Sequence, residues 1–247
     1  MNTTNRKLKF LLLAGNTNRA RAYAQTLATI SDIDVHGIFY GFSKRELMET
    51  PASQKSDEFF RSINIQPIDY LQKLEVTFSK NHWTNSVIQT DDVNSAEVRD
   101  EIKQQQPNLV IFAGYGGQLI SKTTLDSATF LHMHSGSIPE EKGSTTLYYS
   151  ILEDRLCAVS AIIMVPELDS GNLLLRVTYP HPINGMNIDR DYDNTIRADT
   201  MKQVLKHYIS KGHLPQTSYT PNEKENIYYV IHPVLKNIAI LSLNKSI

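Results

Sequence analysis

Long apolar runs are missing from this chain of 247 residues, and that excludes a helix that spans a membrane. A span needs roughly 20 apolar residues in a row. The run Phe10-Leu11-Leu12-Leu13-Ala14 follows Arg6, Lys7 and Lys9 and ends at Gly15-Asn16, so it reads as a first strand and not as a signal peptide. Cysteine is nearly absent. Cys157 stands alone, which rules out an internal disulfide and points to a reduced, cytoplasmic setting. Within Leu156-Cys157-Ala158-Val159 it reads as a small buried hydrophobe, not a nucleophile. A basic excess is also lacking. Lys and Arg number 25 against 26 Asp and Glu, for a net charge of −1, which argues against a surface dedicated to nucleic acid. A local basic patch around Arg19 and Arg21 stays open. There is no repeat and no low-complexity tract.

What is present suits one domain with a small appendage, since 40% hydrophobic residues can fill a sizeable core. Leu8 to Ala14 and Asn108 to Ala113 are apolar runs of strand length, of the kind buried on both faces. A helical pattern covers Arg19 to about Ile30, and Asp34 to Tyr40 reads as a second strand. Phe42 to Trp83 is polar and helix-prone, punctuated by Pro51 and Pro67, and Ser86 to Gln89 reads as a short strand. Ser95 is placed to cap a helix that runs to about Gln106. Phe130 to His134, Ala158 to Val165 and Leu173 to Tyr179 read as strands, and Thr145 to Leu152 as a helix. The alternation predicts an α/β fold, a Rossmann-like, mostly parallel sheet with helices on both faces. The texture changes after Pro180-His181-Pro182. Residues 1–180 are expected to form the core and 181–247 a small C-terminal subdomain. In that subdomain a helix is expected over Asn194 to Ile209, with two short strands, Tyr228 to Ile231 and Asn237 to Leu243.

The most informative stretch is Phe130-Leu131-His132-Met133-His134-Ser135-Gly136-Ser137-Ile138-Pro139, followed later by Leu168-Asp169-Ser170-Gly171. Side chains alternate along a strand, so His132 and His134 share one face. In parallel sheets ligands bind beyond the carboxyl ends of the strands, where Gly15, Gly114 and His134 all fall. The turn Gly15-Asn16-Thr17-Asn18 opens a helix whose free N–H groups suit an anion, though it lacks a full dinucleotide fingerprint.

These residues resemble the formyltransferase family that uses 10-formyltetrahydrofolate. Its signature is Asn-x-His-x-Ser-Leu-Leu-Pro followed by Leu-Asp-x-Gly. His134 matches the signature histidine, Pro139 the proline and Asp169 the aspartate, and Lys142-Gly143 stands where the family has Arg-Gly. The chain departs from the pattern at His132, which replaces the asparagine, and at Gly136-Ser137-Ile138. The likeness is clearest from Leu109 to Leu175 and poor from Phe42 to Ser86.

The resemblance implies a formyltransferase-like fold and catalysis by His134, Asp169 and His132, with His132 donating while neutral or carrying the proton alone. It implies that 10-formyltetrahydrofolate lies against Tyr115, Gly116, Gly117, Gln118 and Asp169, and that Asn16, Asn18, Arg19, Ser144 and Thr145 meet the acceptor. Ser144 or Thr145 also suits the N-cap of the next helix. The length after the core, the altered motif and the Tyr229-to-Lys236 tail resemble the sugar N-formyltransferase branch, nearest the pseudaminic-acid pathway of bacterial surface glycans. The implied acceptor is a nucleotide-linked amino sugar, first a UDP-linked 4-amino-4,6-dideoxy sugar. Nucleic acid and membrane are not expected partners, no metal is expected, and a homodimer is left open. Two rivals remain. His-x-His with a distant Asp also suits a metal-dependent hydrolase, and loss of the asparagine would also suit a catalytically impaired, folate-binding relative.

Overall fold

In the computed structural model, residues 7–41, 50–217 and 225–244 are described. Chain order runs β1 (Leu8–Gly15), α1 (Asn18–Leu27), β2 (Ile33–Tyr40), α2 (Gln54–Ser62), α3 (Leu74–Lys80), β3 (Thr84–Ile88), α4 (Ala96–Gln105), β4 (Leu109–Ala113) and α5 (Lys122–Leu125). It continues with β5 (Phe130–Ser135), β6 (Lys142–Gly143), α6 (Thr146–Leu152), β7 (Cys157–Ile163), β8 (Asn172–Tyr179), α7 (Asp193–Lys211), β9 (Ile227–Tyr228) and α8 (Pro233–Ser242). Seven strands form one sheet in the order β3-β2-β1-β4-β5-β7-β8, and β6 pairs with β9. The first five of those strands run parallel, and β7 and β8 continue antiparallel.

The apolar runs are continuous because the central strands are covered on both sides. Phe10, Leu12 and Ala14 of β1 enter the core under α1 and α7, while Leu11 and Leu13 enter the core under α4. The helix α7 belongs to the first of these layers. Its Ile196, Met201, Val204 and Leu205 share a core with β1 and with Leu131 and Met133 of β5. Each such fully buried side chain contributes about 1.5–3 kcal/mol relative to exposure. Cys157 is buried in the same layer, and burial pushes its thiol up to about 12.

Three helix starts follow their local sequence: Thr17, Ser53 and Ser95 each accept a backbone N–H in the first turn. Two expectations are corrected. Asn237 to Ser242 is helical, not a strand, as part of α8, and Leu243 is its C-cap. His232 caps that helix by accepting from the Val234 N–H at 3.2 Å, Pro233 opens it, and Ala239 is fully covered where α8 meets α6. Of Tyr228 to Ile231, only Tyr228 is paired, in the two-residue ladder with β6. Within the stretch Phe42 to Trp83, residues 42–49 lie outside the described residues, and α2 and α3 occupy part of the remainder.

Candidate active site

Strand β5 sends Leu131 and Met133 into the α7 layer, so His132 and His134 alternate to the other side, where Phe130 is buried. The two imidazole centroids are 6.5 Å apart, and Phe112 of β4 lies 6.1 Å from that of His132. Both rings line a cavity of about 680 Å³ at the carboxyl ends of β4 and β5, a size typical of small-molecule sites.

The loop after β5 returns to lock His134. Gly136 N–H donates to the Ala158 carbonyl at 2.8 Å, and Ser160 Oγ donates to the Gly136 carbonyl at 2.7 Å. Glu141 is 1% exposed and braces the turn. Its Oε2 accepts the Ser137 N–H at 2.7 Å, and its Oε1 accepts from Ser150 Oγ at 2.8 Å and lies 2.6 Å from Arg155. The Glu141 carbonyl in turn accepts a hydrogen bond from His134 Nε2 at 2.6 Å. A carbonyl only accepts, so Nε2 carries hydrogen. The other ring nitrogen, Nδ1, is 3.4 Å from Asp169 Oδ2.

Asp169 arrives on the Leu168-to-Gly171 turn in a left-handed conformation, with φ of 47°. Gly171 must lack a side chain there, because a Cβ would overlap the Ile163 carbonyl oxygen. The carboxylate accepts the Gly143 N–H at 2.9 Å. Burial works to raise the Asp169 carboxyl, but the His134 ring and the Gly143 N–H outweigh it and hold it at about 2.

His132 is half-buried, and its Nδ1 is buried without a hydrogen-bond partner among the described residues. Burial, the guanidinium groups of Arg197 and Arg19 and the neighbouring His134 all push its pKa well below the usual imidazole value, against the pull of Asp169. The ring is therefore neutral at pH 7. Arg197 lies 2.7 Å from Asp193 and also donates to the Met133 carbonyl, while Ser135 Oγ donates to Asp193. Burial opposes ionisation of Asp193, yet Arg197 and Arg19 hold its carboxyl below the ordinary range. Arg19 Nε is buried without a partner among the described residues, and burial and Arg197 both lower its pKa.

The other residues singled out by the sequence divide by position. Arg19, Ser144, Thr145, Tyr115, Gly116, Gly117 and Gln118 all line the cavity, whereas Asn16 and Asn18 do not. The Asn16 N–H instead meets the Tyr115 hydroxyl at 2.9 Å. Gln118 accepts from the Tyr40 hydroxyl at 2.6 Å and donates to the Asp91 carbonyl at 3.1 Å, so much of its side chain serves the loop. Thr145 occupies the N-cap position of α6 but makes no side-chain cap, because its Oγ1 accepts the Ile231 N–H at 2.8 Å. Tyr148 and Tyr229 wall the opening, with Tyr148 donating to Asp189 at 2.8 Å. Asp193, Arg197 and Glu141 are not singled out by the sequence. The i,i+4 spacing of Asp193 and Arg197 is a signal, but it is shared with many solvated helix pairs.

His132, His134 and Asp169 each offer a ligand atom within 4.8 Å of the others, so they form a set able to hold a metal ion. One feature opposes a divalent ion there: Arg19 and Arg197 bring two positive charges to His132.

This architecture is the formyltransferase fold. A sugar N-formyltransferase from Shewanella sp FDAARGOS_354 is similar with a TM-score of 0.58 at 14% identity, over 96% of this chain and 87% of that one. A phosphoribosylglycinamide formyltransferase from Anaplasma phagocytophilum has a TM-score of 0.59 at 10% identity, over 91% of this chain and 99% of that one. By sequence, the methionyl-tRNA formyltransferase of Sulfurovum sp. (strain NBC37-1) is 23% identical over 173 residues, which are 70% of this chain and 50% of the relative. The chain thus spans about half the length of the curated relatives it matches. No family model matches it. Among the described residues no helix is long and apolar enough to cross a membrane.

Proposed function

We propose that this protein is an N-formyltransferase that moves the formyl group of 10-formyltetrahydrofolate to the amine of a nucleotide-linked amino sugar. The observation that carries this reading is the convergence of His132, His134 and Asp169 in one cavity at the carboxyl ends of β4 and β5. Formyl transfer needs donors for an oxygen that gains charge and a group that takes the proton lost by the amine. A neutral His132 and a braced His134–Asp169 pair supply such groups. The donor folate is proposed to lie along Tyr115 to Gln118 and against Asp169, where a smaller cavity of about 90 Å³ opens between Phe112 and Leu168. Arg19, Ser144 and Thr145 then face the acceptor. Similarity to a sugar N-formyltransferase over 87% of that chain supports the sugar acceptor. A UDP-linked 4-amino-4,6-dideoxy sugar of the kind in pseudaminic-acid synthesis is the first acceptor to try, with the enzyme acting in the cytoplasm.

The test begins with calorimetric titration of metal-stripped protein with a stable formyl-folate analogue. Saturation near one per chain, followed by turnover of amino-sugar nucleotides with 10-formyltetrahydrofolate, is expected. Binding without any turnover would favour a catalytically impaired relative. Absence of binding would return attention to the His132, His134 and Asp169 set as a metal-hydrolase centre.

A further inference from the structure

We infer that His132, and not the signature-matching His134, is the catalytic base of the transfer, and that His134 is a positioning residue. This inference rests on the formyl-transfer reading and deepens it.

His134 has little left to offer a substrate. It is 3% exposed, its Nε2 hydrogen is committed to the Glu141 carbonyl at 2.6 Å, and its Nδ1 lies 3.4 Å from Asp169. Any proton it gave or took would first have to leave one of those partners. The carbonyl that holds it belongs to a residue anchored through three further groups: the Ser137 N–H, the Ser150 hydroxyl and Arg155. The ring is thus fixed in orientation, as a support is.

His132 is the complement. It faces the same cavity, and no side chain among the described residues takes its buried Nδ1. A buried polar atom without a partner is costly and is a mark of a group kept for a ligand. The charged and titratable groups around it are Arg197 from α7, Arg19 from α1, His134 from its own strand and Asp169 from the Leu168-to-Gly171 turn. Burial and the three basic groups keep the ring neutral, so one of its nitrogens holds a free lone pair. Asp169 favours the imidazolium that results. An asparagine at this place donates a hydrogen bond but cannot exchange a proton, whereas a neutral imidazole can do either.

The step balances without another reactant. The amine nitrogen attacks the formyl carbon, a C–N bond forms and the carbonyl pair moves to oxygen. The proton lost by nitrogen goes to His132. On collapse the bond from the formyl carbon to N10 of the folate breaks, and N10 leaves with the proton that His132 returns. The products are a formamide and tetrahydrofolate.

Nitrogen NMR of the full chain carrying 15N-histidine tests this, with His132→Gln and His134→Gln assigning the signals. Before any addition, His134 Nε2 should keep its hydrogen from pH 6 to 9 and exchange it slowly. A His134 Nε2 without hydrogen would overturn the inference. On saturation with 10-formyl-5,8-dideazafolate, the His132 nitrogens should shift and those of His134 should hold. The reverse pattern would also overturn it. Calorimetry on the same sample separates the two claims: no saturable heat sinks the folate reading itself, whereas heat with only His134 shifting sinks the assignment of the base alone. Once an amino-sugar nucleotide is turned over, His132→Ala should lose about 10²–10⁴-fold in kcat with KM little changed. Added imidazole should restore part of that loss. Rescue of His134→Ala in its place would give the role back to His134.

Discussion

At the scale of single residues, the site works by setting charge with neighbours. His132 is held neutral by burial and by Arg197 and Arg19, so its folded pKa lies below the unfolded value of about 6.5. As pH falls through 6.5 the unfolded chain gains a proton there that the folded chain refuses, and stability falls. His132→Gln removes that cost, so its deficit against the parent should shrink between pH 8 and pH 5 in urea unfolding. A constant deficit would mean that the ring is not kept neutral. Asp169 has the opposite sense. Its carboxyl is held at about 2, below the unfolded value of about 3.9, so it stabilises the fold above pH 4 and that help is lost as pH falls towards 2. Asp169→Asn should flatten the acid limb of stability in that window, read by the same unfolding at stepped pH. Glu141 is a buried acid with an N–H, a hydroxyl and a guanidinium upon it. Glu141→Gln should cost about 1.5–3 kcal/mol by thermal unfolding. It should also speed exchange of the His134 ring hydrogen.

At the scale of elements, legibility followed the strength of the local pattern. The strands β1 and β4 are plain in the sequence because both faces are buried and the apolar run is unbroken. The helix α4 is plain because Ser95 caps it. Part of the final helix reads as a strand in the sequence for a physical reason. Its apolar residues Val234, Leu235, Ile238 and Leu241 are exposed, and only Ala239 is fully covered, so burial does not mark a helical face. The two histidines and Asp169 were legible because they sit on a motif with a fixed spacing. Arg197 and Glu141 were not, because their meaning depends on long-range partners, the Met133 carbonyl 64 residues away and Arg155 behind the loop. The two-residue ladder of β6 and β9 is likewise invisible in sequence. It needs Gly143, with φ of 102° and no room for a Cβ beside the Tyr228 carbonyl oxygen. Gly143→Ala should therefore release β9, seen as faster hydrogen exchange over residues 225–231 while α1 and α7 stay protected.

At the scale of the whole molecule, the sheet brings one strand pair, one turn and two helices to a single cavity, and the charge they carry there decides what it accepts. The positive groups Arg19 and Arg197 face His132, so a divalent cation should find no stable seat. Metal-stripped protein and protein with excess zinc should melt at the same temperature. A site filled at a hundred times its dissociation constant would add about 2.7 kcal/mol and show as a clear rise in Tm. The single peptide unit between Lys142 and Gly143 has a larger role than its size suggests. Its N–H binds Asp169, and the residues on either side of it are laced to Ile227 and Tyr228, next to Tyr229, which is 79% exposed at the cavity mouth. Pressure at the rim and charge at the floor are therefore linked quantities. A molecule that displaces Tyr229 alters the grip of Asp169 on its proton and, by thermodynamic reciprocity, the protonation of Asp169 alters how tightly the rim holds that molecule.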